Sequence, residues 1–139
     1  MATTRRITYL SVFAYMLTGG RADRGANAPA GFLKLTTTGR KSGLRRVASL
    51  IYMRDGMDYV LTASRGGAPR DPDWMYNIRA HPQVELEVHG TRISGVAEVA
   101  QGEKRRDLWA QLTDIAPMYK GYQKRTTREI PMVIVHPTA

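Results

Sequence analysis

Apolar and polar residues alternate along much of the chain after residue 31, which predicts short β-strands with one buried face. Two turn signals, Asp55-Gly56 and Gly90, separate neighbouring runs and indicate antiparallel hairpins. Gly95 lies inside one of these runs and predicts a β-bulge. The six predicted strands cover residues 32–38, 47–53, 58–64, 83–89, 91–99 and 132–135.

Other segments show the spacing of an α-helix. Asp71-Pro72 is a typical N-cap and first-turn pair for a helix that ends at His81-Pro82. A second helix is predicted over residues 103–116, where Pro117 ends the apolar periodicity. A short polar segment with two tyrosines follows.

Residues 1–20 predict an N-terminal helix, since Ile7, Leu10, Phe13 and Leu17 lie at helical spacing. The apolar stretch is too short to span a bilayer. We expect it to pack on the domain, although its basic start and aromatic residues leave peripheral membrane contact open. Residues 19–31, rich in Gly, Ala and Pro, predict an irregular loop.

Six short strands and a few helices predict a mainly β protein with flanking helices, of the α+β class. A flat open sheet of this size would leave exposed edges, so we expect the strands to close into a small, predominantly antiparallel barrel. The 139 residues fit a single domain, with the N-terminal helix at 1–20 and the barrel core at 32–135.

The charge of the chain favours an anionic partner, because 21 Lys and Arg against 12 Asp and Glu give a net charge of +9. These cations are scattered, and no aromatic-rich RNA-binding signature accompanies them, so no nucleic acid is expected. The chain has no cysteine, which excludes disulfides and thiolate metal sites and fits the cytoplasm. The three histidines lack metal-ligand spacing, so no metal site is predicted.

Residues 39–46, Gly-Arg-Lys-Ser-Gly-Leu-Arg-Arg, join two predicted strands and combine four cations with two glycines. Glycine lets successive amides turn towards an anion while the cations supply charge. This basic turn therefore predicts an anion site. The alternative is a solvated turn whose cations only improve solubility. The glycine spacing is not that of a Walker loop, which also leads into a helix.

Four segments carry a family resemblance: LTTTGRKSG at 35–43, ASRGGAP at 63–69, PDWMYN at 72–77 and HPQV at 81–84. Together they resemble the deazaflavin-dependent nitroreductase family of actinobacteria, whose members use coenzyme F420. The likeness runs from about Phe32 to the final strand. It implies a split β-barrel fold and an F420-dependent oxidoreductase.

The resemblance also implies a cofactor site. In that family the basic turn holds the phosphate and acidic tail of the coenzyme, and the segment with two glycines lies against the deazaflavin ring. The alternatives are a plain glycine turn and a tryptophan that serves only the core. By position, cofactor contacts are implied for Arg40, Lys41, Ser42, Arg46, Val47, Ala48, Ser49, Thr62, Ala63, Ser64, Arg65, Gly66, Trp74, Met75 and Asn77.

C-terminal tyrosines shape the substrate pocket in the nitroreductase of that family, and Tyr119 and Tyr122 match their pattern. Together with Ser64 they are the candidate catalytic residues, with Tyr119 as the proton donor. The alternative is a pair of surface tyrosines on a polar helix. Ala116 and Ile51 stand where that enzyme has further tyrosines, which leaves nitroimidazole reduction open.

The expected function is hydride transfer from reduced F420 (F420H2) to a small-molecule acceptor: an activated C=C bond, a quinone or a nitro compound. Two alternatives remain at this point. One is a non-catalytic F420 carrier, and the other is an FMN-binding split-barrel oxidoreductase, because one fold serves several functions. We expect a monomer or a homodimer.

Overall fold

The structure is a computed structural model and describes residues 30–138. The helix predicted at 1–20 lies outside these residues, as does most of the loop predicted at 19–31. The last two residues of that predicted loop, Ala30 and Gly31, instead open the first strand.

Six antiparallel strands close into a barrel in the order β1-β2-β3-β6-β5-β4. β1 pairs with both β2 and β4, which closes the sheet and confirms the mainly β barrel predicted from the sequence. The strands are β1 Ala30–Thr38, β2 Arg45–Asp55, β3 Asp58–Thr62, β4 Gln83–Val88, β5 Thr91–Val99 and β6 Met132–Pro137.

The barrel interior is filled by its own side chains. Leu35, Leu61, Leu86 and Val135 are fully buried there, together with Tyr52. They come from alternating strand positions, as the period of two requires. Since a six-stranded barrel leaves no room beyond its side chains, a ligand of any size must bind outside the interior.

Within residues 30–138, three helices and one 3₁₀ turn flank the barrel. The helices are α1 Asp73–Ala80, α2 Gly102–Ile115 and α3 Met118–Lys124, and the 3₁₀ turn is Arg65–Gly67. A second buried cluster, which includes Leu108, Leu112 and Tyr119, packs the last two helices against the outer side of β3 and β6. This cluster fixes the position of the tyrosine-bearing helix α3.

The predicted N-cap role of Asp71 is wrong. The helix begins at Asp73 with Pro72 in the N-cap position, and no side chain caps it. Asp71 instead pairs with Arg79 at 3.0 Å and with Arg128 at 2.6 Å. Two guanidinium groups offer a carboxylate stronger hydrogen bonds than a neutral backbone amide does.

The predicted bulge at Gly95 is also wrong. Gly95 pairs in unbroken register with Val84 on one side and Pro137 on the other. A Cβ at this position would lie 2.6 Å from Val135 Cγ1. Glycine is therefore needed here because the Val135 side chain lies close to the Gly95 backbone, and not because the strand contains an extra residue.

A charged bridge links three strands on the barrel surface. His136 on β6 contacts Glu98 Oε1 of β5 through Nε2 at 2.7 Å and Asp58 Oδ1 of β3 through Nδ1 at 3.1 Å. The hydrogen bonds to Glu98 and then Asp58 raise the pKa of His136 above its ordinary 6.5, because both favour the imidazolium. We call this the His136 bridge.

Candidate functional site

Two cavities of about 630 and 360 Å³ lie along residues 45–51 of β2 and share Trp74 as a lining residue, and we call the pair the groove. Most of the predicted site residues line it. The first cavity has Arg40, Lys41, Ser42, Arg46, Val47, Ala48, Trp74 and Asn77, and the second has Ser49, Thr62, Ser64, Arg65, Gly66, Trp74, Tyr119 and Tyr122.

Two predicted contacts do not line the groove. Ala63 and Met75 are fully buried in the barrel core, behind the residues that face the cavities. Trp74 combines both roles that the sequence left open, because it is 7% exposed within the core cluster and also lines both cavities.

Strand pairing brings further residues to the groove that the sequence did not assign to the site. Phe32 lies opposite Ile51, and Thr37 lies opposite Arg46, in the register of β1 with β2. The pairing of the two predicted strands was the signal that could have found them. The unassigned lining residues are Phe32, Thr37, Leu50, Ile51, Pro72 and Asp73.

The basic turn is closed by its own backbone and one hydroxyl. Gly39 N donates to Leu44 O at 2.7 Å, and Gly43, with φ +72°, donates to Gly39 O at 2.9 Å. Ser42 Oγ accepts hydrogen bonds from Leu44 N at 3.1 Å and from Arg46 Nη2 at 3.4 Å. The serine thus shapes the turn in addition to lining the cavity.

Asn77 of α1 braces this turn from below. Its Oδ1 accepts a hydrogen bond from the Arg40 backbone amide at 3.0 Å, and its Nδ2 donates to Thr37 Oγ1 at 3.1 Å. Asn77 and Thr37 are 5% and 2% exposed, so the bond between them is buried, while the bond from the Arg40 amide is partly buried. The amide side chain therefore ties the turn to β1 and to the helix.

The cations of the turn differ in whether they pair with a carboxylate. Arg45 is paired with Glu85 at 2.6 Å. In the described part of the chain, no carboxylate lies within ion-pair distance of Arg40, Lys41 or Arg46. These three side chains leave charge available to an anionic ligand.

The other end of the groove is formed by the loop at residues 63–71, which we call the Gly-Gly loop. Its residues Arg65, Gly66 and Gly67 all have positive φ, at 46°, 63° and 84°. Positive φ is uncommon in a non-glycine residue such as Arg65, and residues with such strained backbone are often found at functional sites. The two glycines make this left-handed stretch accessible at low cost.

Tyr119 and Tyr122 stand across the second cavity on α3. Their rings pack edge to face with centroids 5.3 Å apart, and Tyr119 is only 7% exposed. The surface alternative is therefore wrong for Tyr119. Both side chains line the same cavity as Ser64, so the three candidate catalytic residues are brought together.

The chain matches, over residues 9–137, the family described as F420H(2)-dependent quinone reductase. It belongs to this family. It is 40% identical over 125 residues to an F420H(2)-dependent quinone reductase of Mycobacterium tuberculosis H37Rv, with 87% of this chain and 83% of the relative covered. Among solved structures, it resembles an F420-H2 dependent reductase, FDR-A, with a TM-score of 0.69, 34% identity and coverage of 76% of this chain and 93% of the other. Another solved relative, described as a domain-swapped dimer, has a TM-score of 0.70, 29% identity and coverage of 97% and 98%.

As a member of the F420H(2)-dependent quinone reductase family, the protein is a deazaflavin-dependent oxidoreductase whose cofactor is reduced coenzyme F420. The resemblance seen in the sequence is confirmed. Membership of this family favours an F420-dependent reductase over the two alternatives, a non-catalytic F420 carrier and an FMN-binding oxidoreductase.

The donor set of the groove fits this coenzyme. F420 combines a planar ring with a phosphodiester and a glutamate tail, so it is elongated and anionic at one end. Three uncommitted cations lie in the first cavity, while small residues and tyrosines line the second. Guanidinium and ammonium groups suit phosphate and carboxylate, and glycine permits close approach of a flat ring.

Within residues 30–138 no helix is long and apolar enough to cross a membrane. No group of three or more His, Cys, Asp or Glu side chains in these same residues could hold a metal ion.

Proposed function

We propose that this F420H2-dependent reductase acts on a quinone held in the second cavity, beside Tyr119 and Tyr122. The observation that carries the proposal is the groove itself. Uncommitted cations lie at one end, the tyrosines lie at the other, and Trp74 is shared by both cavities. One elongated coenzyme along this groove places its ring next to the tyrosines.

The basic turn binds the tail of the coenzyme in this proposal. Arg40, Lys41 and Arg46 pair with the phosphate and the glutamate carboxylates, since they lack carboxylate partners among the described residues. Arg40 is also held over the ring of Tyr76, with its Cζ 4.7 Å from the ring centroid. This contact limits the rotamers of Arg40 and lowers the entropy lost on binding.

The second cavity holds the ring and the acceptor. When bound, F420H2 supplies a hydride to the acceptor. Reduction of a quinone to its hydroquinone needs one proton in addition, and a tyrosine phenol is protonated at neutral pH and can donate it. We assign that role to the Tyr119 hydroxyl, with Tyr122 and Ser64 orienting the acceptor.

A quinone suits the lining of this cavity better than a charged acceptor. Phe32, Leu50 and Ile51 offer apolar contact to a flat neutral ring, while the tyrosines offer hydrogen bonds to its carbonyl oxygen. The name of the mycobacterial relative, a quinone reductase, supports the same acceptor class.

Anaerobic stopped-flow mixing tests the acceptor. The protein with F420H2 is mixed separately with menadione, an unsaturated lactone and a nitroimidazole, and the absorbance of oxidised F420 is followed. We expect the fastest oxidation with menadione. Faster oxidation of F420H2 by the lactone or the nitroimidazole would overturn the quinone assignment. An oxidation rate that does not depend on any added acceptor would overturn it as well.

Two substitutions separate binding from chemistry. Lys41→Ala should weaken F420 binding, most strongly at low salt, because the lost attraction is electrostatic. Lys104→Ala is the matched control, since Lys104 pairs with Asp55 on the barrel surface away from the groove. Tyr119→Phe should slow reduction while F420 affinity stays unchanged. Equal F420 affinities of the two lysine variants would refute the role of Lys41 in binding the coenzyme tail. Full turnover in the tyrosine variant would refute the role of Tyr119 as proton donor.

A homodimer is the assembly that the similar domain-swapped dimer supports for this chain. Light scattering after size-exclusion chromatography should then give twice the chain mass of 15.5 kDa. The mass of a single chain would contradict it.

A further inference from the structure

Arg128 contacts the Gly-Gly loop through every arm of its guanidinium group. Nε donates to Ala68 O at 2.8 Å, Nη2 donates to Ser64 O at 2.8 Å, and Nη1 donates to Ala63 O at 3.2 Å. Nη1 also lies 2.6 Å from Asp71 Oδ1. The side chain is only 16% exposed, so water competes little for these four acceptors.

The backbone of Arg128 is itself fastened to helix α3. Gln123, on that helix, donates from Nε2 to Arg128 O at 2.7 Å and accepts at Oε1 from Ile130 N at 3.0 Å. Thr126 Oγ1 accepts from Arg128 N at 3.3 Å. The guanidinium is thus presented from the segment that follows the tyrosine-bearing helix and is tied to it by Gln123.

The loop and α3 also meet directly. A Cβ on Gly67 would lie 2.5 Å from Tyr122 O, so the two backbones are in close contact. Arg125 Nη1 donates to Gly66 O at 3.3 Å. Arg128 therefore completes an arrangement in which the two walls of the second cavity are held against each other.

From these contacts we infer that Arg128 is a positioning residue, which sets the Gly-Gly loop at the distance from α3 that the deazaflavin ring requires. The inference rests on the proposed placement of the ring in the second cavity. The planar guanidinium has five donors in a fixed fork, which matches acceptors spread over the loop. A lysine ammonium would keep the pairing with Asp71 but could not span three carbonyl oxygens.

Ligand fragments distinguish this role from binding of the coenzyme tail. The probes are F420 and the deazaflavin ribityl fragment that lacks the phosphate and the glutamate tail. In Arg128→Lys, affinity for both probes should fall by the same factor, about tenfold or more, because only the ring wall is disturbed. Lys41→Ala should weaken F420 alone, so failure of the proposed tail site would be recognised separately.

The matched control is Arg79→Gln. Arg79 also pairs with Asp71, at 3.0 Å, and its Nη1 bonds only that carboxylate among the described contacts. If Arg128 acted only by neutralising Asp71, the control would reproduce the loss of fragment affinity. We expect Arg79→Gln to retain that affinity within about twofold, since the carbonyl contacts remain.

Chemical rescue gives a readout that general stability would not. In Arg128→Ala, added ethylguanidinium should restore fragment affinity and turnover, whereas ethylammonium at equal ionic strength should not. Thermal unfolding of each variant is measured alongside.

Four outcomes would overturn the inference. They are unchanged fragment affinity in folded Arg128→Lys, the same loss in Arg79→Gln, no guanidinium rescue of folded Arg128→Ala, and a lysine variant that does not fold.

Discussion

Truncation of Asn77 should weaken both the fold and the binding of F420, because this side chain braces the basic turn. Asn77→Ala removes the bond from the Arg40 amide, at 3.0 Å, and the bond to Thr37 Oγ1, at 3.1 Å. Each such bond contributes about 1 kcal/mol net, and leaving the buried Thr37 hydroxyl without this partner adds about 1–3 kcal/mol. The free energy of unfolding should fall by about 3–5 kcal/mol, or roughly 9–18 °C in Tm for a domain of this size.

The same substitution should raise the Kd for F420. Without Asn77 the Arg40 amide is no longer held, so the basic turn must be ordered when the coenzyme binds. Ordering it costs about 1 kcal/mol, which corresponds to about a fivefold weaker Kd. Urea unfolding followed by tryptophan fluorescence measures the first effect, and titration with F420 measures the second.

Thr37→Val is the matched control for this prediction. It removes the bond from Asn77 Nδ2 with little change of shape but keeps the bond from the Arg40 amide. It leaves the buried Asn77 Nδ2 without this acceptor, so we expect the free energy of unfolding to fall by about 2–4 kcal/mol while F420 affinity changes by less than about twofold. If the two variants bind F420 equally well, the bond to Arg40 does not preset the turn, and the reasoning fails.

Three further predictions concern the loop, the barrel surface and the basic turn. Gly67→Ala should cost about 3 kcal/mol or more in urea unfolding, because its Cβ would lie 2.5 Å from an α3 carbonyl oxygen, whereas Gly66→Ala should cost only about 1 kcal/mol of backbone strain. The raised pKa of His136 gives stability that is full below the unfolded value of 6.5 and is lost as pH rises through the folded pKa, so the deficit of His136→Gln should shrink as pH rises above 6.5. Arg46→Ala should weaken F420 binding more than Arg45→Ala does, because the Arg45 side chain already pairs with the carboxylate of Glu85 on β4. Equal losses of stability in the two glycine variants, or equal losses of F420 affinity in the two arginine variants, would contradict these expectations. A stability deficit of His136→Gln that does not change with pH would also do so.

The parts of the fold that depend on neighbouring residues were predictable. β4 shows why, since Val84, Leu86 and Val88 are buried while the residues between them are more exposed, as the period of two requires. The turn at His89-Gly90 has positive φ at both residues, which the sequence signal indicated through its glycine. Local pattern also located the basic turn, because glycines and cations are adjacent in the chain.

Contacts between distant residues were not predictable from such patterns. Asp71-Pro72 is a typical N-cap and first-turn pair, but the Asp71 carboxylate pairs with Arg79 and with Arg128, which lies 57 positions later in the chain. Arg128 itself carried no signal, because one arginine in a polar stretch looks like any solvated cation. The positioning role inferred for it follows only from the fold, which brings α3 and the Gly-Gly loop together.

The full barrel interior explains why the candidate site needs such bracing. Larger barrels can enclose a ligand, but here Leu35, Leu61 and Leu86 already fill the space between the strands. An extended coenzyme must then lie in an open groove, where loops rather than strands provide most of the walls. Loops lose entropy when they are ordered by a ligand, unless the fold has ordered them in advance. Asn77 under the basic turn and Arg128 behind the Gly-Gly loop supply that order at opposite ends of the groove.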